Sequence, residues 1–181
     1  MIGITGQIGA GKTFVGNILR ARGCRVLDAD KAVHEMYRCD ENLRSSIAAE
    51  FGPTALTEDG VDRKFFSALV FRDERARKRL ENLVYPALIE YVVRENPDYV
   101  EAALFENVPE LLKLMDSFIV VVAPEDVRMR RLVEQRSLTE EDALRRINLQ
   151  RSKDNPEVWQ NLLFGKPVRF IVNDGVCSPD V

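Results

Sequence analysis

Eight consecutive residues near the N-terminus have the types and spacing to hold a triphosphate: Gly6, Gln7, Ile8, Gly9, Ala10, Gly11, Lys12 and Thr13. The pattern is Gly, four residues, then Gly-Lys-Thr. Its glycines let successive backbone N–H groups curl around an anion, and the N-terminus of a following helix completes the cradle. Lys12 is placed to reach the β- and γ-phosphates, and the Thr13 hydroxyl to ligate Mg²⁺. A glycine-rich turn without a ligand is the competing reading, and the flanks argue against it. Met1-Ile2-Gly3-Ile4 has the character of a short buried strand, while Phe14, Val15, Ile18 and Leu19 fall on one face of a helix that Gly23 stops. Binding of a nucleoside triphosphate is the first chemical expectation.

Acids and cations further along supply candidates for the remaining chemistry. Arg25-Val26-Leu27 is a candidate strand ending at Asp28-Ala29-Asp30, so two carboxylates sit at a strand's C-terminal edge, where open α/β sheets bind ligands. If strand geometry continues through the tripeptide, both carboxylates face one side and flank a metal-bound phosphate or a hydroxyl. Alternatively, Asp30 N-caps the next helix and Asp28 pairs with a nearby base. Glu101, in the candidate strand Tyr99 to Leu104, stands where an acid supports Mg²⁺ through water. Pro124 opens a helix carrying Arg128, Arg130, Arg131 and Arg136, and Thr139 caps another that carries Arg145, Arg146 and Arg151. Two arginine-bearing helices late in a phosphate-loop protein suggest a lid, because arginine at the transferring group is worth roughly 10³ to 10⁵ in rate. His34 is the sole histidine, which excludes a histidine triad or a multi-histidine metal site.

These groups need a frame of strands and helices to position them. Ser117 to Val122 is a continuous apolar run of strand length, the mark of an interior strand of a parallel sheet, and Val168 to Val172 reads as the last strand. Between Asp40 and Asn96 the pattern is helical: Leu43, Ile47, Ala48 and Phe51 lie on one face ended by Gly52-Pro53, and Asp62 caps a helix with Phe65, Phe66, Leu69 and Val70. Arg72 to Arg79 is basic, read as a solvated face or a site for a substrate anion, and Pro86 is expected to kink its helix or begin a new one. The expected fold is α/β, a three-layer parallel sheet with a phosphate loop, a helical substrate-binding insertion and an arginine-bearing lid. One domain is expected, with a core over about residues 1–35, 97–123 and 165–175, the insertion over 36–96 and the lid over 124–155.

The 181 residues carry 26 Lys and Arg against 29 Asp and Glu, a net charge of −3, so bulk electrostatics does not call for nucleic acid and points to small-molecule partners. Cys24, Cys39 and Cys177 lack metal-ligand spacing and suit free thiols in a reducing cytoplasm, with neither disulfide nor zinc. No apolar run approaches the ~20 residues of a membrane span.

With these features in order the chain resembles the dephospho-coenzyme A kinases from Ile2 to about Gly175. The resemblance rests on the phosphate loop, on Leu27-Asp28-Ala29-Asp30, and on Asp59-Gly60-Val61-Asp62-Arg63-Lys64 followed by Val70-Phe71, Leu80-Glu81 and Pro86. It continues with Leu104-Phe105-Glu106-Asn107, Arg131-Leu132, Leu138 to Ala143, and Ile171-Val172-Asn173-Asp174-Gly175. The resemblance implies transfer of the ATP γ-phosphate, with Mg²⁺, to the ribose 3′-hydroxyl of dephospho-coenzyme A. It further implies Asp30 as the acceptor-side carboxylate, Lys12 and Arg131 as catalytic cations, and Asn173 as part of the nucleotide site. The chain departs from the family pattern at Tyr85 (usually His), Ala102-Ala103 (usually Pro-Leu), and Gln135 and Lys153, near which arginine is usual. Another small-molecule kinase of this architecture and a non-catalytic ATP-binding regulator are the alternative readings.

Overall fold

The computed structural model describes residues 1–103 and 105–175, with the side chains of residues 68 and 70–72 excepted. Leu104, Cys177 and the side chains of Val70, Phe71 and Arg72, all used above, lie outside the described residues.

The chain enters as β1 (Ile2–Gly6), turns through the phosphate loop into α1 (Lys12–Ala21) and returns as β2 (Val26–Asp28). Within α1 Val15 is buried, whereas Phe14 is 55% exposed, so the apolar face read from the sequence is only partly used inside the described structure. Four helices and a short hairpin follow: α2 (Ala29–Cys39), α3 (Glu41–Phe51), β3 (Leu56–Thr57), β4 (Gly60–Val61), α4 (Arg63–Arg72) and α5 (Glu74–Glu95). The chain then forms β5 (Tyr99–Glu101), α6 (Pro109–Lys113), β6 (Ser117–Val122), α7 (Glu125–Arg136), α8 (Glu140–Asn148), a 3-10 turn at Arg151–Asp154, α9 (Pro156–Leu162) and β7 (Val168–Val172).

Residues 1–27 and 97–181 make one compact unit and residues 28–96 a second. In the first unit the described strands form a sheet in the order β2-β5-β1-β6-β7, and β1 pairs in parallel with both β5 and β6, as β6 does with β7. The α/β fold expected from the alternating pattern is therefore present. β6 is interior, with Phe118, Val120 and Val121 buried. β1 sits where the strand order reverses, between β5 and β6, and the C-terminal edge at such a reversal is where parallel sheets hold ligands. That edge carries the phosphate loop. Ile4, Ala10, Val15, Val121, Ala123 and Val127 form the core beneath it. A second cluster, Leu132, Ala143 and Ile147, joins α7 to α8, and Ile8 of the loop packs against it.

In the second unit each long helix opens on an aspartate. Asp28, Asp40, Asp62 and Asp73 accept N–H groups from the first turns of α2, α3, α4 and α5, each such cap contributing about 1 kcal/mol. Pro86 does not restart the helix, because α5 runs unbroken from Glu74 to Glu95 with the proline inside it. Ala76, Leu80, Val84, Leu88 and Val92 recur every four residues as one buried stripe on both sides of the proline. That burial offsets the ~3 kcal/mol an interior proline costs. The segment is not wholly helical either, since β3 and β4 pair as a small antiparallel hairpin around Thr57 and Gly60.

Candidate active site

Backbone packing determines the shape of the phosphate loop before any ligand is considered. Gln7 N–H donates to the Val121 carbonyl at 3.2 Å and Ala10 N–H returns to the Gln7 carbonyl at 3.2 Å. A Cβ on Gly6 would stand 2.0 Å from the Val121 oxygen, so the first glycine is demanded by the approach of β1 to β6. Gly11 is the N-cap of α1 in the left-handed region, at φ 93° and ψ 36°, and no side chain caps the helix. The start of α1 is consequently open. Among the described residues the N–H groups of Gly9, Gly11 and Thr13 meet no protein acceptor, and the helix end adds a partial positive charge of roughly half a unit. Lys12 Nζ lies 3.2 and 3.3 Å from the carbonyls of Gly6 and Gln7, at the mouth of the cradle.

Thr13, in the first turn of α1, meets Glu101 at the end of β5. Its hydroxyl donates to Glu101 Oε1 at 2.7 Å, while Glu101, 5% exposed, keeps Oε2 buried and without a hydrogen-bond partner. A Cβ on Gly16 would lie 3.0 Å from that oxygen, so α1 can approach the carboxylate because residue 16 has no side chain. One hydroxyl and one carboxylate are the hard oxygen set of a nucleotide-bound Mg²⁺, which takes one or two protein oxygens and completes its shell with phosphates and water. The residues present fit that ion. Strand β5 ends at Glu101, shorter than the expected Tyr99 to Leu104, which leaves this carboxylate at the sheet edge.

Arg131 of α7 and Asn173 after β7 close the other side of the loop. Arg131 Nη1 donates to the carbonyls of Gly9, Ala10 and Asn173 at 3.3, 3.2 and 3.1 Å, and its Nη2 to Asn173 Oδ1 at 3.0 Å. Asn173 Nδ2 donates to the Ala10 carbonyl at 2.9 Å. A planar guanidinium with a fixed fork of donors suits this three-sided clamp. Beside it opens a cavity of about 830 Å³ lined by Gly11, Lys12 and Thr13, by Arg131, Gln135 and Asn173, and by the apolar Ile18, Leu19, Ile119 and Ile171.

Thus Gly6 to Thr13, Glu101, Arg131 and Asn173 converge in the first unit. Asp30 lies in the second, exposed in the first turn of α2. The strand does not continue through Asp28-Ala29-Asp30 as the two-carboxylate reading required. It ends at Asp28, which itself caps α2 by accepting Lys31 N–H at 3.0 Å and pairs with Lys31 Nζ at 3.4 Å. The two acids therefore have different tasks, one structural and one displayed at a helix start. Lys153 is buried and pairs with Glu106 at 2.6 Å, 4.9 Å above the Trp159 ring.

Gln150 and Asp154 also touch the loop, through Ile8 N–H and the Gln7 side chain, and the buried Arg128 stands behind them, donating to Asp154. Sequence reasoning treated Arg128 as one of several helix arginines and passed over the other two, since a polar residue in a turn carries no periodic or motif signal.

Comparison with known proteins agrees with this geometry. The family model described as dephospho-CoA kinase matches residues 1–164. The dephospho-CoA kinase of Geobacillus kaustophilus is 36% identical over 157 residues, covering 81% of this chain and 77% of that protein. That of Aquifex aeolicus is 37% identical over 152 residues, covering 80% and 77%. The crystal structure of TT1252 from Thermus thermophilus superposes with a TM-score of 0.72 at 28% identity, over 96% of this chain and 88% of that one. With the phosphate cradle at the expected sheet edge and the match running through the loop, both arginine helices and the turn after them, the chain belongs to the dephospho-CoA kinase family.

Proposed function

We propose that this protein transfers the γ-phosphate of ATP to the ribose 3′-hydroxyl of dephospho-coenzyme A, giving coenzyme A and ADP. The observation that carries the reading is the uncapped start of α1, where the N–H groups of Gly9, Gly11 and Thr13 meet no acceptor among the described residues and Lys12 Nζ lies beside the Gly6 and Gln7 carbonyls, in a member of this family. In the reaction the 3′-oxygen forms a bond to the γ-phosphorus as the bond to the β-bridging oxygen breaks, and the hydroxyl proton passes to a base. Asp30 is the residue assigned to orient the hydroxyl and accept that proton. Lys12 and the loop amides neutralise charge on the β- and γ-phosphates, and Arg131 holds Gly9 and Ala10 in the cradle conformation. Thr13 and Glu101 are the residues assigned to Mg²⁺, which supplies charge neutralisation between the phosphates when bound. Among the described residues no helix is long and apolar enough to cross a membrane, in keeping with a small-molecule kinase of the cytoplasm.

ATP consumption by the purified protein with Mg²⁺ is compared with dephospho-coenzyme A, adenosine, AMP and pantetheine as acceptors, and the site of phosphorylation is identified. Selective 3′-phosphorylation of dephospho-coenzyme A is expected. Lys12→Ala and Asp30→Asn are each expected to abolish transfer, with Asp30→Asn leaving ATP binding close to wild type. Preferred turnover of another acceptor, or ATP binding without transfer to any, would overturn the assignment. Equal loss of ATP affinity in both variants would remove Asp30 from its acceptor-side role.

A further inference from the structure

The turn after α8 grips the phosphate loop at two successive residues. Gln150 Oε1 accepts the Ile8 N–H at 2.8 Å. Beside it the Gln7 side chain, 3% exposed, has both polar ends engaged by protein. Its Oε1 accepts Ala123 N–H at 3.3 Å, and its Nε2 donates to the Lys153 carbonyl at 3.4 Å and to Asp154 Oδ1 at 2.5 Å. Asp154 is held in turn by Arg128, 2% exposed, whose Nη2 donates to the same oxygen at 3.0 Å. The turn is anchored from its own side, because Trp159 Nε1 donates to the Lys153 carbonyl at 2.9 Å.

The first half of the loop is therefore oriented by side chains more than a hundred residues away in the chain. Gln150 meets Ile8 N–H, which leaves the amides of Gly9, Gly11 and Thr13 as the open set. We propose that Gln150, backed by Asp154, is a positioning residue for phosphoryl transfer: it holds Ile8 and Gln7 so that the open amides stay aligned on the triphosphate. The inference rests on the ATP-dependent reading given above. Phosphoryl transfer depends on alignment more than on covalent participation by the protein. A glycine-rich segment released at Ile8 populates other conformers, and the share competent for transfer falls accordingly. The neutral carboxamide also has a reason, since a carboxylate in its place would keep the acceptor but set negative charge beside the phosphates.

Gln150→Leu is expected to lower kcat about tenfold, the effect of losing one well-placed hydrogen bond in the competent state. The KM for dephospho-coenzyme A and the thermal midpoint stay near wild type, and the Ile8 amide, protected in the wild type, exchanges rapidly. Gln150→Glu keeps that amide protected and holds kcat within about threefold of wild type while raising the KM for ATP. Glu157→Gln, exposed on α9, serves as the control. Wild-type kcat in Gln150→Leu, or equal loss of kcat in both Gln150 variants, would overturn the role. ATP affinity is measured by calorimetry on the same proteins to separate the two readings. Should the wild type bind ATP yet phosphorylate no dephospho-coenzyme A, the function falls. Affinity weakened about fivefold in Gln150→Leu would then still support the positioning role, and unchanged affinity would refute it.

Discussion

Adding one methyl group at Gly11 tests the cradle most directly. The left-handed conformation at this N-cap, φ 93°, costs an L-residue roughly 1–2 kcal/mol. The new Cβ would also stand 2.3 Å from Asn173 Nδ2, so the Asn173 side chain must rotate away. Rotation breaks its bond to the Ala10 carbonyl and the one it accepts from Arg131, at 2.9 and 3.0 Å. A neutral hydrogen bond is worth about 1 kcal/mol and one to a charged group about 1.5–3, so Gly11→Ala is expected to cost about 3.5–6 kcal/mol. Asn173→Ala alone loses only the two bonds, about 2.5–4 kcal/mol by the same values. In the double variant the clash is gone and the bonds are already lost, leaving only the backbone term. Gly11→Ala should thus add about 1–2 kcal/mol on the Asn173→Ala background against about 3.5–6 on the wild type. Urea unfolding of the four proteins reads the cycle, and ATP titration of the same four should show the same non-additivity. Strictly additive losses would refute the reasoning, because they would mean that Asn173 and Gly11 do not share space.

Arg131→Ala is expected to lower turnover more than ATP affinity, since it frees the carbonyls of Gly9 and Ala10 and leaves the loop amides in place; steady-state kinetics at saturating ATP checks this, and full activity would defeat it. Lys153→Met strands the largely buried Glu106 carboxylate, whose Oε2 already lacks a hydrogen-bond partner, and should cost about 3–5 kcal/mol in urea unfolding, whereas Lys153→Met with Glu106→Leu should recover much of that loss. Additive effects of the two changes would show that the pair is not energetically coupled. Burial pushes the Tyr37 and Tyr85 hydroxyls up to about 12 from an ordinary 10.0, with the Glu81 carboxylate adding to the rise at Tyr85. Between those values the unfolded chain binds fewer protons than the folded one, so the tyrosine contribution to stability should be constant below pH ~10 and fall as pH rises toward 12. Unfolding measured across this window, with Tyr37→Phe showing the shallower decline, tests the point, and identical slopes would refute it.

Much of the first unit was legible in the sequence because its signals are local. Ser117 to Val122 and Val168 to Val172 form strands over the predicted residues, and Pro124 and Thr139 begin helices where expected. Local signals misled where tertiary packing outweighed them. At Pro86 a buried stripe of five residues carries α5 through a residue that would break an isolated helix. At Asp28-Ala29-Asp30 the spacing left strand and helix cap open, and the structure starts α2 at Ala29 with Asp28, not Asp30, as the cap, so the two acids do not share a strand face.

The amino-acid sequence by itself determined the chemistry on offer: glycines spaced for a cradle, Lys12 and Thr13 directly behind them, and an acid, Glu101, in the strand that follows the helical segment. These follow from contiguous residues whose relation is set by short-range backbone geometry. Only the tertiary structure decided which distant groups hold that chemistry in place. Arg131 was singled out among the arginines of two helices only by the family resemblance, and its three carbonyl partners came from the structure, while Gln150 and Asp154 were ordinary polar residues in a turn. A hydrogen bond between residues more than a hundred positions apart leaves no periodic trace in the chain. It exists because parallel crossovers bring α7, the turn after α8 and the end of β7 to the same edge of the sheet as the loop.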